Sequence, residues 1–303
     1  MAKGRNELLR SIPGAGTALP ATSHSGANEF ASVASESFGN PTLTFNFWGR
    51  VQGLEYPSLS PEQQDEIRES FADDLARLKR WCIEAEWLPS HPPDELKIFV
   101  SDEYKISKSL MPASVGQRGR MEFPAWKVIA GEAAIAHELV HVYFPNGNRL
   151  LAEGLAIHLQ AEIGGNPAFP NFGRPLHDVA RELLVKMVPE FAAGDPKALD
   201  KIRLTNLDKI ATPSPLRLRA GLNLYNDDAV GQAHIYPVVG SFVQFLIATY
   251  GLKTFRAVFE QTPLKPFARN PGSSDRWADA YGAALLDLEQ KWKLKMSGRP
   301  VPA

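Results

Sequence analysis

A short apolar segment with two histidines sets the strongest limit on how this chain can fold. It reads Ala136-His137-Glu138-Leu139-Val140-His141 and so contains the pattern His-Glu-x-x-His. Residues four apart on an α-helix lie one turn above each other, so both imidazoles point toward one position. Burying such polar groups without partners in an apolar helix is costly. A shared metal ion removes that cost, and the pattern therefore predicts a helix on which His137 and His141 bind a metal.

Glu153 is the candidate for the third protein ligand, which a catalytic zinc site needs beside one open position. Eleven residues separate it from His141. The segment Pro145-Asn146-Gly147-Asn148 has the composition of a turn, so a second helix over Leu150–Ile163 can fold back toward the first. Small residues on that helix, such as Gly154, would let the two helices approach closely enough for the carboxylate to reach the ion. Glu138 would then lie beside the open position.

Composition limits the metal ligands to histidine and carboxylate. Cys82 is the single cysteine among 303 residues, so neither a thiolate cluster nor a disulfide within the chain is available. The formal net charge is -1 at pH 7, so we expect no general attraction to nucleic acid. No apolar run approaches the roughly eighteen residues of a transmembrane helix, so we expect no integral membrane segment. The sequence does not indicate an oligomeric state.

The chain as a whole predicts an α+β fold in three parts. Residues 1–40 are rich in small and polar residues without periodicity, which is typical of a flexible arm. Residues 41–165 form a catalytic lobe with strands, an amphipathic helix that begins at Ser60, and the two metal helices. Residues 166–303 form a mainly helical C-terminal lobe. The strand patterns cover 42–48, 96–100 and 118–128. The later helical patterns cover 132–143, 150–163, 177–192, 229–250 and 276–295.

The first residues bear on the cellular compartment. Met1–Arg5 is basic, but no apolar block follows before Pro20. A secretory signal needs such a block of about seven or more residues. We therefore expect a cytoplasmic protein if the chain is complete, and a secreted or periplasmic one if a signal has been removed.

From Ile135 to Gln160 the sequence resembles the gluzincin metallopeptidases, in which a glutamate on the following helix completes the His-Glu-x-x-His site. Glu153-Gly154-Leu155-Ala156 is similar to the Glu-Gly-apolar-Ala of aminopeptidase-like members, although Ala152 replaces the Asn that often precedes the glutamate. The stretch from Tyr236 to Gly251 resembles the helix that follows the site in these families. The resemblance implies a thermolysin-like zincin with a small mixed N-terminal sheet, one long helix, the active-site helix and a helical C-terminal lobe.

The same resemblance implies a role for each site residue. The Zn²⁺ ligands that it implies are His137, His141 and Glu153. Glu138 would be the general base that activates water for hydrolysis of a peptide bond, and the substrate would be a peptide or a protein. Tyr236 is the candidate donor to the developing oxyanion, with His234 as the alternative. Simple packing at the start of a helix is the other role open to Tyr236.

Two further features of the sequence bear on this site. Gluzincins carry an edge strand beside the cleft, and Arg120–Phe123 is the corresponding segment, to which an extended peptide could add. Gly119–Glu122 also resembles the Gly-x-Met-Glu with which aminopeptidases bind a substrate amine, although the default for Glu122 is a solvent-facing strand carboxylate. His158 lies five residues after Glu153, so we expect it to turn away from the ligands.

Two other functions fit the same residues. One is a zinc hydrolase of this fold that acts on a non-peptide amide or ester. The other is a binding or scaffolding protein that retains the fold without turnover. The sequence does not distinguish cleavage within a chain from cleavage at its end.

Overall fold

The structure, a computed structural model, describes residues 38–51, 54–56, 59–110, 119–193, 195, 198, 203–211, 229–264 and 270–298. Within these ranges a small sheet is followed by mainly helical structure, which confirms the α+β class. The strands are β1 (Thr42–Phe47), β2 (Gly49–Val51), β3 (Leu54–Tyr56), β4 (Glu95–Ser101), β5 (Lys108–Ser109) and β6 (Arg120–Pro124). The helices are α1 (Pro61–Glu84), α2 (Ala125–Ile129), α3 (Ile135–Tyr143), α4 (Arg149–Ile163), α5 (Leu176–Met187), α6 (Ala229–Tyr250), α7 (Leu252–Glu260), α8 (Asp275–Tyr281) and α9 (Leu285–Met296). Pro189–Phe191 and Leu204–Lys209 form 3-10 turns.

Local chemistry explains where several elements begin and end. The hydroxyl of Ser60 accepts a hydrogen bond from the backbone of Gln63, whose side chain accepts one in return, so α1 begins as predicted. The strand predicted over 118–128 is shorter, since β6 ends at Pro124 and α2 follows it. The helix predicted over 276–295 is two helices, because Gly282 adopts a left-handed φ of 63° and ends α8. Helix α7 adds an element that the sequence patterns did not predict.

The four-stranded sheet is mixed and has the order β1-β4-β6-β5. Strands β1, β4 and β6 are parallel, whereas β5 is antiparallel to β6. Helix α1 packs on one face, where the rings of Phe71 and Phe123 meet edge to face at 5.0 Å. The expectation that Arg120–Phe123 forms the edge strand is wrong, because β6 pairs on both sides and β5 lies at the edge of the described sheet.

Helices α4 and α6 approach each other through two glycines. A Cβ added at Gly154 would lie 2.3 Å from Cγ2 of Val243, and one added at Gly240 would lie 2.3 Å from Cγ2 of Ile157. Each glycine therefore makes room for a β-branched side chain of the opposite helix. The prediction that Gly154 allows α4 to approach the histidine helix is wrong, since the nearest neighbours of that position are on α6.

Phe38 falls in the span predicted as a flexible arm, yet it is fully buried and stacks on Tyr143 with ring centroids 4.5 Å apart. Residues 1–37 lie outside the described part of the chain. Among the described residues, no helix is both long and apolar enough to cross a bilayer.

Candidate metal centre

The start of helix α3 is fixed by residues from other helices. Its N-cap residue offers no side-chain hydrogen bond, so the first N–H groups need partners elsewhere. Gln160 of α4 accepts from the His137 N–H at 3.0 Å. The carboxylate of Asp74, buried on α1, accepts a hydrogen bond from the backbone N–H of Gly165 at 2.7 Å and lies near the N–H of Ala136, which stabilises its charged form. Helices α1 and α4 thereby set the position of the helix that carries both histidines.

Two fully buried asparagines hold the turn between α3 and α4. The carbonyl oxygen of Asn148 accepts from the third N–H of α4 at 3.1 Å and so caps that helix. Its amide nitrogen donates to the Asp208 carbonyl at 2.8 Å, the Asp208 carboxylate at 3.0 Å and the Pro271 carbonyl at 2.9 Å. Asn146 donates to the carbonyl of Phe259 at 2.7 Å. The turn predicted from composition is thus anchored to segments far along the chain.

The side chains of His137, His141 and Glu153 meet in the interior between α3 and α4. The Nε2 atoms of the two histidines lie 3.0 Å apart. The Oε2 atom of Glu153 lies 3.3 Å from Nε2 of His137 and 3.4 Å from Nε2 of His141. All three residues are buried. The structure therefore brings together the three residues predicted as ligands, in a group that could hold a metal ion.

The size of this group fits a tetrahedral metal site. Ligand atoms placed tetrahedrally at about 2.0–2.1 Å from a zinc ion are about 3.3–3.4 Å from each other. Oε2 of Glu153 is buried and has no hydrogen-bond partner. A buried carboxylate oxygen in that state is unfavourable unless a cation compensates it. Two imidazoles and one carboxylate suit zinc and its neighbouring divalent metals.

Arg149 is a residue of the site that the sequence did not reveal. Its Nη2 atom lies 2.7 Å from Oε1 of Glu153, one turn later on α4. Burial raises the pKa of the Glu153 carboxyl, but the Arg149 cation and the histidines outweigh burial and hold that pKa well below its usual range. Glu153 is therefore ionised, as a metal ligand must be. In the sequence, the contact between Arg149 and Glu153 is indicated only by their i, i+4 spacing on a predicted helix.

Glu138 is also buried, beside the three candidate ligands. Burial raises the pKa of its carboxyl, and the negative charge of Glu153 raises it further, whereas His137 and Ser109 lower it. Ser109 belongs to β5, so the edge of the sheet lies next to the metal helix. Glu138 is thus placed between the candidate ligands and the edge strand.

Tyr236, on α6, lies next to the same group. Its ring centroid is 6.3 Å from that of His137. Burial raises the pKa of the Tyr236 hydroxyl, and the carboxylate of Glu153 raises it further, so the hydroxyl keeps its proton at neutral pH. It can therefore donate a hydrogen bond. The side chain of the alternative, His234, lies outside the described residues.

Glu122 and His158 take no part in the group of candidate ligands. Glu122 is buried, and its carboxylate contacts Arg120 and Lys108 at 2.7 Å each, so the expected solvent-facing carboxylate is wrong. Two cations already satisfy it, which leaves little capacity for a substrate amine. His158 pairs with Glu162 at 2.9 Å and takes no part in the group, as predicted.

Known proteins give no independent indication of what this site does. Comparison of the chain with protein-family models, with curated proteins and with solved structures found no match. The buried group of His137, His141 and Glu153, with Glu138 beside it, is therefore the main indication of function in the described residues.

Proposed function

We propose that this chain is a zinc-dependent peptidase in which His137, His141 and Glu153 hold the metal. The observation that carries the proposal is the buried triangle of two Nε2 atoms and one unpartnered carboxylate oxygen, with sides of 3.0, 3.3 and 3.4 Å. The resemblance of residues 135–160 to gluzincins supports it. Zinc bound there would supply Lewis acidity for an activated water and a polarised carbonyl.

Glu138 has the environment of a proton carrier. Because burial raises the pKa of its carboxyl, it is a stronger base than an exposed glutamate and holds a proton more firmly. In peptide hydrolysis it would accept a proton from the attacking water as the oxygen–carbon bond forms. The same proton would then pass to the amine nitrogen as the carbon–nitrogen bond breaks.

Tyr236 is the proposed donor to the oxygen of the scissile carbonyl. That oxygen gains negative charge as water adds, and a preorganised donor lowers the free energy of this state. The Tyr236 hydroxyl is protonated and close to the candidate ligands. Its contact with substrate would form mainly in the transition state.

The position of β5 favours a peptide as the substrate. Strand β5 pairs with β6 on one side, and in the described sheet its other side carries no strand. An extended peptide could add to that side through backbone hydrogen bonds. Since Ser109 of β5 lies close to Glu138, such a peptide would run past the proposed base. A small mixed sheet with an edge strand beside the metal helix is also what the resemblance to thermolysin-like zincins implies.

Metal content tests the proposal directly. We expect about one zinc per chain in protein purified without chelator and then offered zinc. His137→Ala and His141→Ala should each lose the metal by elemental mass spectrometry. His158→Ala is the matched control, because His158 is a buried histidine on α4 that pairs with Glu162 instead. Wild-type protein without zinc under these conditions would contradict the proposal.

Turnover tests the reaction. Wild-type protein should cleave a mixture of peptides and lose that activity with chelator. Glu138→Gln should keep the zinc and lose most turnover, because the amide preserves shape and cannot accept the proton. Cleavage of esters without cleavage of peptides would indicate the non-peptide hydrolase. Bound zinc without turnover on either class would indicate a binding protein.

A further inference from the structure

Arg149 occupies a position in which a cation does not stabilise its own helix. It is the first residue of α4, where the helix dipole places partial positive charge. An arginine four residues before a glutamate is also the less favourable order for such a pair. The side chain is only 18% exposed, so it has lost most of its solvation. Helix stability therefore does not explain Arg149.

The contact between Arg149 and Glu153 gives the two oxygens of that carboxylate different surroundings. Nη2 of Arg149 lies 2.7 Å from Oε1, which is thereby satisfied. Oε2 has no hydrogen-bond partner and is the atom that lies 3.3 and 3.4 Å from the two histidine nitrogens. Arg149 thus leaves a single oxygen of Glu153 facing the histidines.

The same guanidinium lies next to the hydroxyl of Tyr236 on α6, and its positive charge opposes the rise in the pKa of that hydroxyl. A guanidinium carries only donors, so in a hydrogen bond between the two groups the oxygen of the Tyr236 hydroxyl is the acceptor. The hydrogen of that hydroxyl is not used in this contact. It remains available to an acceptor in the cleft.

The backbone of Arg149 is held from outside the helix. Its N–H donates to the carbonyl of Ile210 at 2.9 Å, and its neighbour Asn148 forms a bridge with Ala211. The backbone of Arg149 is therefore anchored, and its guanidinium extends to Glu153 on one helix and to Tyr236 on another.

We propose that Arg149 is a positioning residue of the metal centre. It presents one oxygen of Glu153 to the metal and frees the hydroxyl hydrogen of Tyr236 for a bound substrate. This inference rests on the proposed function for its purpose, but its first test needs no turnover. Without Arg149, both oxygens of Glu153 become available to the ion, and the number of ligand atoms rises.

Cobalt(II) is the probe for the number of ligand atoms, since its visible absorption weakens when four-coordination gives way to five or six. Wild-type protein with one equivalent of cobalt should show an intense visible band. Arg149→Met should weaken that band severalfold, and Arg149→Lys should restore part of it, because an ammonium can hold Oε1 but not both partners. Arg256→Met is the matched control, since Arg256 forms an exposed i, i+4 pair with Glu260 at 2.7 Å.

The outcomes separate this inference from the proposed function. Wild-type protein that takes up no cobalt overturns both. Wild-type protein with the intense band, together with an unchanged band in Arg149→Met and in Arg149→Lys, overturns the role of Arg149 alone. If Arg149→Met does not fold, the difference between Arg149→Lys and wild type decides the matter.

Kinetic measurements test whether Arg149 acts through the hydroxyl of Tyr236. Arg149→Met and Tyr236→Phe should each lower kcat by about a hundredfold with little change in KM, if the arginine acts through the hydroxyl. Arg149→Met also alters the contact with Glu153, so the comparison is between two backgrounds: Arg149→Met should lower kcat by a smaller factor in Tyr236→Phe protein than in wild type. An equal factor in the two backgrounds would show that Arg149 does not act through Tyr236.

Discussion

Replacing Gly154 by alanine tests how closely α4 and α6 must approach to assemble the site. The added Cβ would lie 2.3 Å from Cγ2 of Val243, whereas ordinary contact begins at 3.4 Å. Val243 must therefore retreat by 3.4 − 2.3 = 1.1 Å. Its side chain is β-branched and fully buried, so it cannot simply rotate away. The displacement must be taken up by the two helices.

Stability and turnover should respond to this shift to different degrees. Overpacking costs about 1–3 kcal/mol, and the better helix propensity of alanine offsets about 1 kcal/mol of that. The free energy of unfolding should therefore fall by about 0–2 kcal/mol. Helix α6 carries Tyr236 and α4 carries Glu153, so the same shift separates groups of the site. A misplacement of about 1 Å can cost about a hundredfold in rate.

Urea denaturation and kcat measure the two effects, and a second substitution tests their cause. Val243→Ala removes the clashing Cγ2, so the double variant with Gly154→Ala should regain stability and activity beyond the sum of the single effects. Val239→Ala is the control, because the nearest atom of Val239 lies at 3.4 Å and its removal should relieve little. Strictly additive effects, or full activity in Gly154→Ala alone, would refute the argument that this contact sets the site.

Three further predictions concern single residues. Tyr236→Phe should lower kcat by about a hundredfold with little change in KM or zinc content, and full kcat would make Tyr236 a packing residue. Asn148→Asp should destabilise the protein at least as much as Asn148→Ala, as measured by urea denaturation, although aspartate is as good an N-cap. The reason is that the Asn148 amide donates to Asp208, whereas a carboxylate at position 148 would repel the Asp208 carboxylate. A stable Asn148→Asp protein would contradict this account. Burial raises the pKa of the Cys82 thiol to about 12. The unfolded chain releases that proton first, so the free energy of unfolding should fall by up to about 1.4 kcal/mol per pH unit above pH 9. Cys82→Ala should lack this loss, and equal slopes in the two proteins would contradict it.

The ligand residues could be predicted because local geometry alone places them. The helical period puts His137 and His141 on one face, and the short turn after α3 brings the next helix back with Glu153. The start of α1 is similarly local, since Ser60 and Gln63 satisfy each other within one turn. Features of this kind depend on residues close together in the chain.

The remaining features depend on contacts between distant segments, and the sequence does not display these. Arg149 can act on Tyr236 only because the fold brings α6 beside the start of α4. Gly154 was assigned to the wrong neighbour because Val243 is far along the chain. Strand β5 has two residues, too few for an alternating pattern, so the edge was assigned to β6. The sequence does not show the break between α8 and α9 at Gly282, because the segments on either side of it continue one apolar helical pattern.

The position of Asp74 beside the start of α3 and the end of α4 has a consequence for transplanting this site into another protein. A graft of residues 132–165 would carry the candidate ligands, Gln160 and the turn. It would leave behind Asp74, which accepts from the Gly165 N–H and lies near the first turn of α3, and Asp208, which anchors Asn148. Such a graft would need substitute acceptors from its host at both places. The smallest portable unit therefore includes α1 and the 204–209 turn, and the His-Glu-x-x-His segment is only one part of it.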